Sequence, residues 1–227
     1  MLHCNLGCPS APAKKEATMA NHVVLIGDSI FDNAMYVPGG PSLIKQLQQI
    51  LPHDWHASLA AVDGAVVSSV QRQLERLPND TTHLVLSVGG NNALGVAYHV
   101  FNANSSSVRQ SLSQVADAIR AFRKEYRALL EELVLLGLPL TICTIYDHVP
   151  GLGDAEMVGL TIFNDIITRN AFEIGARLID LRIVCQEETD YSSLSPIEPS
   201  VAGGAKIARA IASALLDDHS YRRVIIG

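Results

Sequence analysis

Five short apolar runs alternate with helical patterns along the chain, and this alternation most constrains its fold. We expect strands over 22–26, 55–62, 82–88, 140–145 and 177–183, which are rich in aliphatic residues. The segments between them carry apolar residues at helical spacing. Strands that alternate with helices form a parallel sheet covered on both faces. The sequence therefore predicts an α/β fold: a three-layer α/β/α sandwich with a flavodoxin-like five-stranded parallel sheet of order 2-1-3-4-5.

The expected helices begin at Pro41 and after Gly64, and three longer ones cover 106–136, 157–175 and 201–216. The segment 185–200 before the last helix is predicted to be a loop. No linker divides this pattern, so we expect one domain over 21–217.

The two ends of the chain lack the pattern. Residues 1–20 carry Lys14 and Lys15 where a secretory signal would need an apolar stretch, so we interpret them as a disordered extension with Met19 as an alternative start. Residues 218–227 are interpreted as a C-terminal tail.

Composition excludes several classes of function. The chain is 48% hydrophobic and 18% charged, which is typical of a globular protein, and its net charge of −6 includes no basic block. We therefore expect no nucleic-acid partner and no membrane partner. Cys4, Cys8, Cys143 and Cys185 form neither a disulfide framework nor a zinc motif. Reduced thiols favour a cytoplasmic location, and we expect no metal site.

A serine follows the first predicted strand, in the segment Gly27-Asp28-Ser29. Open α/β sheets bind ligands in the crevice outside the carboxyl ends of their strands, so this position suits a nucleophile. The same residue types are also common in turns, where Ser29 would cap a helix and Asp28 would stabilise the turn.

Two further strand ends carry groups that could bind a ligand. Gly64 follows the second strand, and Gly89-Gly90-Asn91-Asn92 follow the third. In the order 2-1-3-4-5, strands 1 and 3 are neighbours, so Ser29 and Asn91 would face each other across one crevice with Gly64 on its rim. Each segment taken alone is also compatible with a plain turn.

Together these residues resemble the SGNH, or GDSL-type, hydrolases, a family of esterases, lipases, acyl-thioesterases and carbohydrate acetylesterases. The resemblance extends from about His22 to Leu216. It implies that Ser29 attacks an ester carbonyl, and that the Ser29 and Gly64 backbone N–H groups and the Asn91 amide bind the oxyanion. Asn92 replaces the family's Asp.

The resemblance implies a small-molecule ester as substrate and no cofactor. We expect Asp28 and Asn92 to contact that substrate. A flavin or nucleotide carrier is disfavoured, because the turn after the first strand lacks a glycine-rich phosphate cradle.

The last block departs from the family pattern. Where the family has Asp-x-x-His-Pro, this chain has Ser195-Pro196-Ile197-Glu198-Pro199. Glu198 could accept the serine proton, but a carboxylate with a pKa near ~4.3 is suited to this role at neutral pH only if burial raises its pKa.

A histidine from another loop is the second hypothesis. His148 and His99 follow the carboxyl ends of strands, whereas the other histidines start strands or lie in tails. Because adjacent side chains seldom converge, Asp180 and Asp190 are as suitable as Asp147 for orienting His148.

The third hypothesis is a scaffold that binds a ligand without useful turnover. The leading prediction is a serine esterase that uses Ser29 with Glu198 in place of histidine. The alternative is a ligand-binding or regulatory module.

Overall fold

A computed structural model describes residues 20–217, which contain one five-stranded parallel sheet. Its strands are β1 (Asn21–Gly27), β2 (Trp55–Leu59), β3 (His83–Ser87), β4 (Leu140–Cys143) and β5 (Arg177–Ile179). The strand order is β2-β1-β3-β4-β5 and every pairing is parallel, as predicted. The expected extension over 1–20 and tail over 218–227 lie outside the described residues, except for Ala20.

Helices cover both faces of the sheet. The α-helices are α1 (Leu43–Ile50), α2 (Gln71–Leu74), α3 (Gly90–Val96), α4 (Val108–Leu135), α5 (Asp154–Glu173), α6 (Leu181–Val184) and α7 (Val201–Leu216). Three 3-10 turns lie at Ala34–Tyr36, Val67–Ser69 and Glu188–Asp190, and a π-helical turn at Ala97–Phe101 extends α3.

Two apolar cores separate three layers, so the predicted sandwich is confirmed. In β1, Val23 and Leu25 pack against the side that carries α1 and α7, whereas Val24 and Ile26 pack against the side that carries α4 and α5. All four side chains are fully buried. This alternation explains why the strand is apolar at every position instead of every second one.

Several predicted boundaries were wrong for local reasons. The fifth strand was expected to reach Ile183, but it ends at Ile179 because the Asp180 carboxylate accepts the Arg182 N–H and starts α6. The helix expected after Gly64 is divided into a 3-10 turn and the short α2.

The Gly-Gly-Asn-Asn segment was interpreted as a loop, but α3 begins within it at Gly90. Gly and Asn are poor helix formers, so this segment carries no helical pattern that could have predicted α3.

Cys143 and Cys185 are buried free thiols, whereas Cys4 and Cys8 lie outside the described residues. Within residues 20–217, no helix combines the length and hydrophobicity needed to cross a membrane.

Candidate active site

The turn that carries Ser29 is held at the carboxyl end of β1 by backbone contacts. Gly27 has φ +127°, and a Cβ there would lie 1.8 Å from the carbonyl oxygen of Ser87 on the neighbouring β3. The Asp28 N–H donates to the same oxygen at 3.0 Å. The Gln73 side-chain amide accepts from the Gly27 N–H (2.7 Å) and donates to its carbonyl (2.8 Å). The backbone before Ser29 is therefore fixed on two sides.

Ser29 lines a pocket at the carboxyl end of the sheet. Asp28, Asn91 and Glu198 line the same pocket. The remaining walls are mainly apolar and come from the Ser29 turn, the end of β3, α3 with its π-helical extension, the residues after β4, α5 and the Glu198 loop. Their apolar residues are Ile30, Val88, Ala93, Leu94, Val96, Ala97, Ile145, Tyr146, Val149, Leu152, Leu160, Phe163 and Ile197. Four of the residues singled out in the sequence therefore meet at one cavity.

Glu198 is held on a turn between α6 and α7. Its N–H donates to the Ser195 carbonyl (3.0 Å), and its carbonyl accepts from the Ser192 N–H (2.8 Å). The Tyr146 hydroxyl, which follows β4, donates to the Ile197 carbonyl at 2.6 Å. These contacts fix the backbone on both sides of the glutamate and direct its side chain into the pocket.

Asn33 joins the Ser29 turn to the Glu198 turn. Its side chain is fully buried; its Nδ2 donates to the Pro199 carbonyl (3.2 Å) and its Oδ1 accepts from the Leu43 N–H (2.8 Å) at the start of α1. The contacts are those of a residue that positions the two turns.

The Glu198 carboxylate lies in an unusual electrostatic environment. Its side chain is only 3% exposed, and burial raises its pKa to about 7; a side-chain hydrogen bond from Ser29 opposes this increase, and the charge on Asp63 adds to it. Its Oε2 has no hydrogen-bond partner within the described residues. Burial therefore raises the pKa of Glu198 toward neutral pH, which is the condition that the sequence analysis set for this residue to act as a base.

Asp28 is a second buried carboxyl group in the same pocket. Burial raises its pKa to about 7; the Ile30 N–H donates to its Oδ1 and opposes this increase, while repulsion from Glu198 adds to it.

The groups expected to bind an oxyanion lie close together but are not all in the pocket wall. The Asn91 Nδ2 donates one hydrogen bond to the Ala65 carbonyl (3.0 Å), which leaves its second N–H free of a partner in the described chain. Gly64 is exposed with φ +76° and does not line the pocket. Its loop lies beside the Ser29 turn, because the Val62 N–H donates to the Gly27 carbonyl.

The Ser29 N–H makes no hydrogen bond within residues 20–217. Asn92 has a different environment: its Oδ1 accepts from the Val67 N–H (3.1 Å), and it does not line the pocket. This contact anchors the 3-10 turn after Gly64.

Neither candidate histidine lines the pocket. The Nδ1 of His148 lies 2.9 Å from the Asp147 carboxylate, so the expectation that these adjacent side chains would not converge was wrong. The His148 side chain is 47% exposed, and His99 packs against Tyr98 on an exposed surface. No histidine of the described chain lines the pocket.

The other carboxylates considered as partners for His148 are used elsewhere. Asp180 forms an ion pair with Arg182 (2.6 Å) and accepts from the Thr144 hydroxyl. Asp190 lies 2.8 Å from the Lys206 ammonium. Both carboxylates are therefore structural ion-pair partners.

Sequence reasoning missed three residues that shape the site. Tyr146 follows β4 at the carboxyl end of the sheet, and that position was a usable signal. Gln73 and Asn164 gave no signal, because their partners are distant in sequence. The Asn164 amide accepts from the Ile145 N–H and donates to its carbonyl, both at 2.8 Å, as Gln73 does at Gly27.

The pocket contains no cluster of metal-ligating side chains among the described residues. One such cluster exists elsewhere, and it consists of His22, His56 and Asp80 at the opposite end of the sheet.

Comparison with solved structures shows which proteins share this fold. The acetyl xylan esterase AlAXEase superposes with a TM-score of 0.65 at 20% identity, over 86% of this chain and 100% of its own. The psychrotrophic esterase EstA from Pseudoalteromonas sp., solved with monoethylphosphonate as inhibitor, has a TM-score of 0.61 at 16% identity, over 86% of this chain and 96% of its own. An extracellular lipase from Streptomyces rimosus has a TM-score of 0.61 at 17% identity, over 86% of this chain and 100% of its own.

No family model matches the sequence. No curated protein matches it either. At these identities, the likeness to the solved structures establishes the fold that this chain shares with them.

Proposed function

We propose that this protein is a serine esterase of the SGNH type, in which Ser29 forms an acyl-enzyme and Glu198 replaces the usual histidine. The observation that supports this most is the buried Glu198 carboxylate, which lines the same pocket as Ser29 and interacts with its side chain. The fold shared with esterases and a lipase adds to it. The catalytic unit would be the domain over 21–217.

In the proposed reaction, the Ser29 hydroxyl gives its proton to Glu198 as its oxygen bonds to the ester carbonyl carbon. The resulting oxyanion would accept hydrogen bonds from the Ser29 and Gly64 N–H groups and from Asn91. Collapse expels the alcohol, which takes the proton back from Glu198. A water molecule then loses a proton to Glu198 as its oxygen bonds to the acyl carbon. When this second intermediate collapses, the Ser29 oxygen leaves and takes that proton from Glu198, which releases the acid and restores both side chains.

A carboxylate suits this role only if its pKa is close to the working pH. Burial raises the pKa of Glu198 to about 7, close to the value of about 6.5 for an ordinary histidine. A single buried carboxylate would therefore supply the proton transfer that a histidine supplies in the usual arrangement.

Asp28, Asn92 and His148 have supporting places in this proposal. Asp28 lines the pocket and would contact the substrate while protonated. Asn92 would act indirectly, by holding the turn beside Gly64. His148 becomes the candidate base only if Glu198 is dispensable.

The test is hydrolysis of 4-nitrophenyl butyrate by the wild type and by Ser29→Ala, Glu198→Gln and Glu188→Gln across pH 5–9. Glu188 is exposed in the same region and serves as the matched control. We expect wild-type kcat/KM to rise with pH around 7, as Glu198 loses its proton. We expect Ser29→Ala and Glu198→Gln to lose at least about 10²-fold.

A fluorophosphonate probe and mass spectrometry would locate the nucleophile. Labelling of Ser29 in the wild type, but not in Ser29→Ala, would support the acyl-enzyme. An unchanged rate in Glu198→Gln would exclude the carboxylate base. If the wild type is no faster than Ser29→Ala and is not labelled, the protein is the ligand-binding module instead.

A further inference from the structure

Two histidines meet at the amino end of the sheet, far from Ser29. His22 on β1 and His56 on β2 are register partners, and their rings stack with centroids 3.8 Å apart. Asp80, in the segment before β3, reaches both rings: its carboxylate oxygens lie 2.9 Å from His22 Nδ1 and 3.4 Å from His56 Nε2. The three potential ligand atoms all lie within 4.8 Å of one another.

The environment of His22 favours binding through Nδ1. The residue is 4% exposed, and its Nε2 lies 2.8 Å from the Ser58 hydroxyl. In the tautomer whose Nε2–H donates to Ser58, Nδ1 keeps the lone pair that a metal ion needs. A hydrogen-bonded second nitrogen is also what fixes the orientation of most metal-binding histidines.

Two imidazoles and a carboxylate form a donor set that Zn²⁺ uses with a water molecule as fourth ligand. Metal–ligand bonds of about 2.0–2.1 Å place tetrahedral donors about 3.4 Å apart. One ligand atom from each of the three residues lies within 4.8 Å of the other two, so the donors reach that spacing by side-chain rotation. His56 has room to rotate, because its side chain is 47% exposed. Asp80 is 62% exposed, so the fourth position faces solvent.

We propose that His22, His56 and Asp80 bind one divalent transition-metal ion of the Zn²⁺ class, with water completing the coordination. The ion would connect β1, β2 and the segment before β3. Ser29 lies seven residues along from His22, which corresponds to roughly 20 Å of extended chain. The proposed site is therefore structural and independent of the proposed esterase chemistry.

The test uses purified protein treated with EDTA, dialysed and titrated with ZnCl₂ by isothermal calorimetry, with thermal unfolding measured in parallel. We expect one equivalent to bind the wild type and to raise its Tm. His56→Gln and Asp80→Asn should each bind at least about 10-fold more weakly and lose most of the Tm increase. Both positions are exposed, and their metal-free Tm shows whether the variants fold.

His99→Gln is the matched control, because His99 is exposed and lies away from this cluster. It should bind Zn²⁺ as the wild type does. Ser58→Ala should weaken binding about 10-fold through the orientation of His22. Absence of stoichiometric binding, or equal binding by the wild type, His56→Gln and Asp80→Asn, would overturn the proposal and leave a histidine–aspartate ion pair. Ser29→Ala should bind Zn²⁺ as the wild type does, so the metal site can be tested whether or not Ser29 is a nucleophile.

Discussion

At the scale of single residues, the pocket contains two carboxyl groups whose ionisation opposes folding. The Asp28 and Glu198 side chains are 2% and 3% exposed, and burial raises the pKa of each to about 7. Each group is therefore protonated in the folded state at a pH where the unfolded chain has already ionised it. Folding stability must decrease as pH rises between these values.

Asp28→Asn provides a test of this cost. The pKa of Asp28 rises from 3.8 to about 7 on folding, so the folded state loses stability from about pH 4 upward and reaches the full loss above about pH 7. Asparagine keeps an oxygen that can accept from the Ile30 N–H but does not ionise. Relative to the wild type, the variant should gain free energy of unfolding, and urea unfolding should show this gain to be about 2–3 kcal/mol larger at pH 8 than at pH 5.

Asp117→Asn, which removes an exposed carboxylate on α4, is the control and should show no such difference between the two pH values. An Asp28→Asn gain that is equal at pH 5 and pH 8 would contradict the buried, protonated state of Asp28.

The predictable part of the site is the part encoded in short segments. Ser29 and Asn91 each follow a strand, and both line the pocket as the strand order required. The suitability of Glu198 depends instead on whether burial raises its pKa. The sequence shows that this burial is required but cannot show that it occurs. The Asp147–His148 contact could not be predicted because it depends on how the chain turns after β4.

At the scale of elements, the contact between β1 and β3 limits which residue can precede the Ser29 turn. In Gly27→Ala, the new Cβ would lie 1.8 Å from the Ser87 carbonyl oxygen. Rigid backbone occupies that position, so we expect a loss of at least about 3 kcal/mol in the free energy of unfolding, or failure to fold. Thermal and urea unfolding would measure the loss.

Gly39→Ala separates crowding from backbone strain. Gly39 also has a positive φ, +77°, but no atom lies within 4 Å of a Cβ built there. Its loss should be limited to about 1–2 kcal/mol from the left-handed conformation. If both variants lose the same amount, the close approach of β3 is not what requires glycine at position 27.

Elements were predictable where the local signal and the tertiary environment agree. The last helix was predicted over 201–216 and α7 has those bounds, because Ser200 caps its start and the apolar positions face the sheet. By contrast, α3 begins in a Gly- and Asn-rich segment with little helical propensity. Its formation depends on its packing against α4 and α5, which a local pattern does not reveal.

At the scale of the whole molecule, α3 and α5 together with the residues after β4 make the pocket apolar. Each buried methylene contributes about 0.8 kcal/mol, or roughly 4-fold in kcat/KM if it is bound in the transition state. We expect the wild type to prefer 4-nitrophenyl butyrate and octanoate over the acetate. Ala97→Leu narrows the cavity. It should lower kcat/KM for the octanoate ester by about 10-fold and change kcat/KM for the acetate ester by less than about 2-fold.

Ala155→Leu adds the same side chain at an exposed position on α5 that does not line the pocket, and it should leave the chain-length profile unchanged. A wild type that prefers acetate, or an equal effect of Ala97→Leu on all three esters, would show that the acyl group does not occupy these walls.

The position of the described chain ends relative to the pocket has a practical consequence. Asn21 starts β1 beside Asp54, and Arg177 at the start of β5 donates to the Ala214 carbonyl near the end of α7. Both ends of the domain therefore emerge opposite the cavity that contains Ser29. A carrier protein fused before residue 21 or after residue 217, or a solid support attached at either end, would leave the mouth of the cavity facing the medium, so the domain is suited to oriented immobilisation.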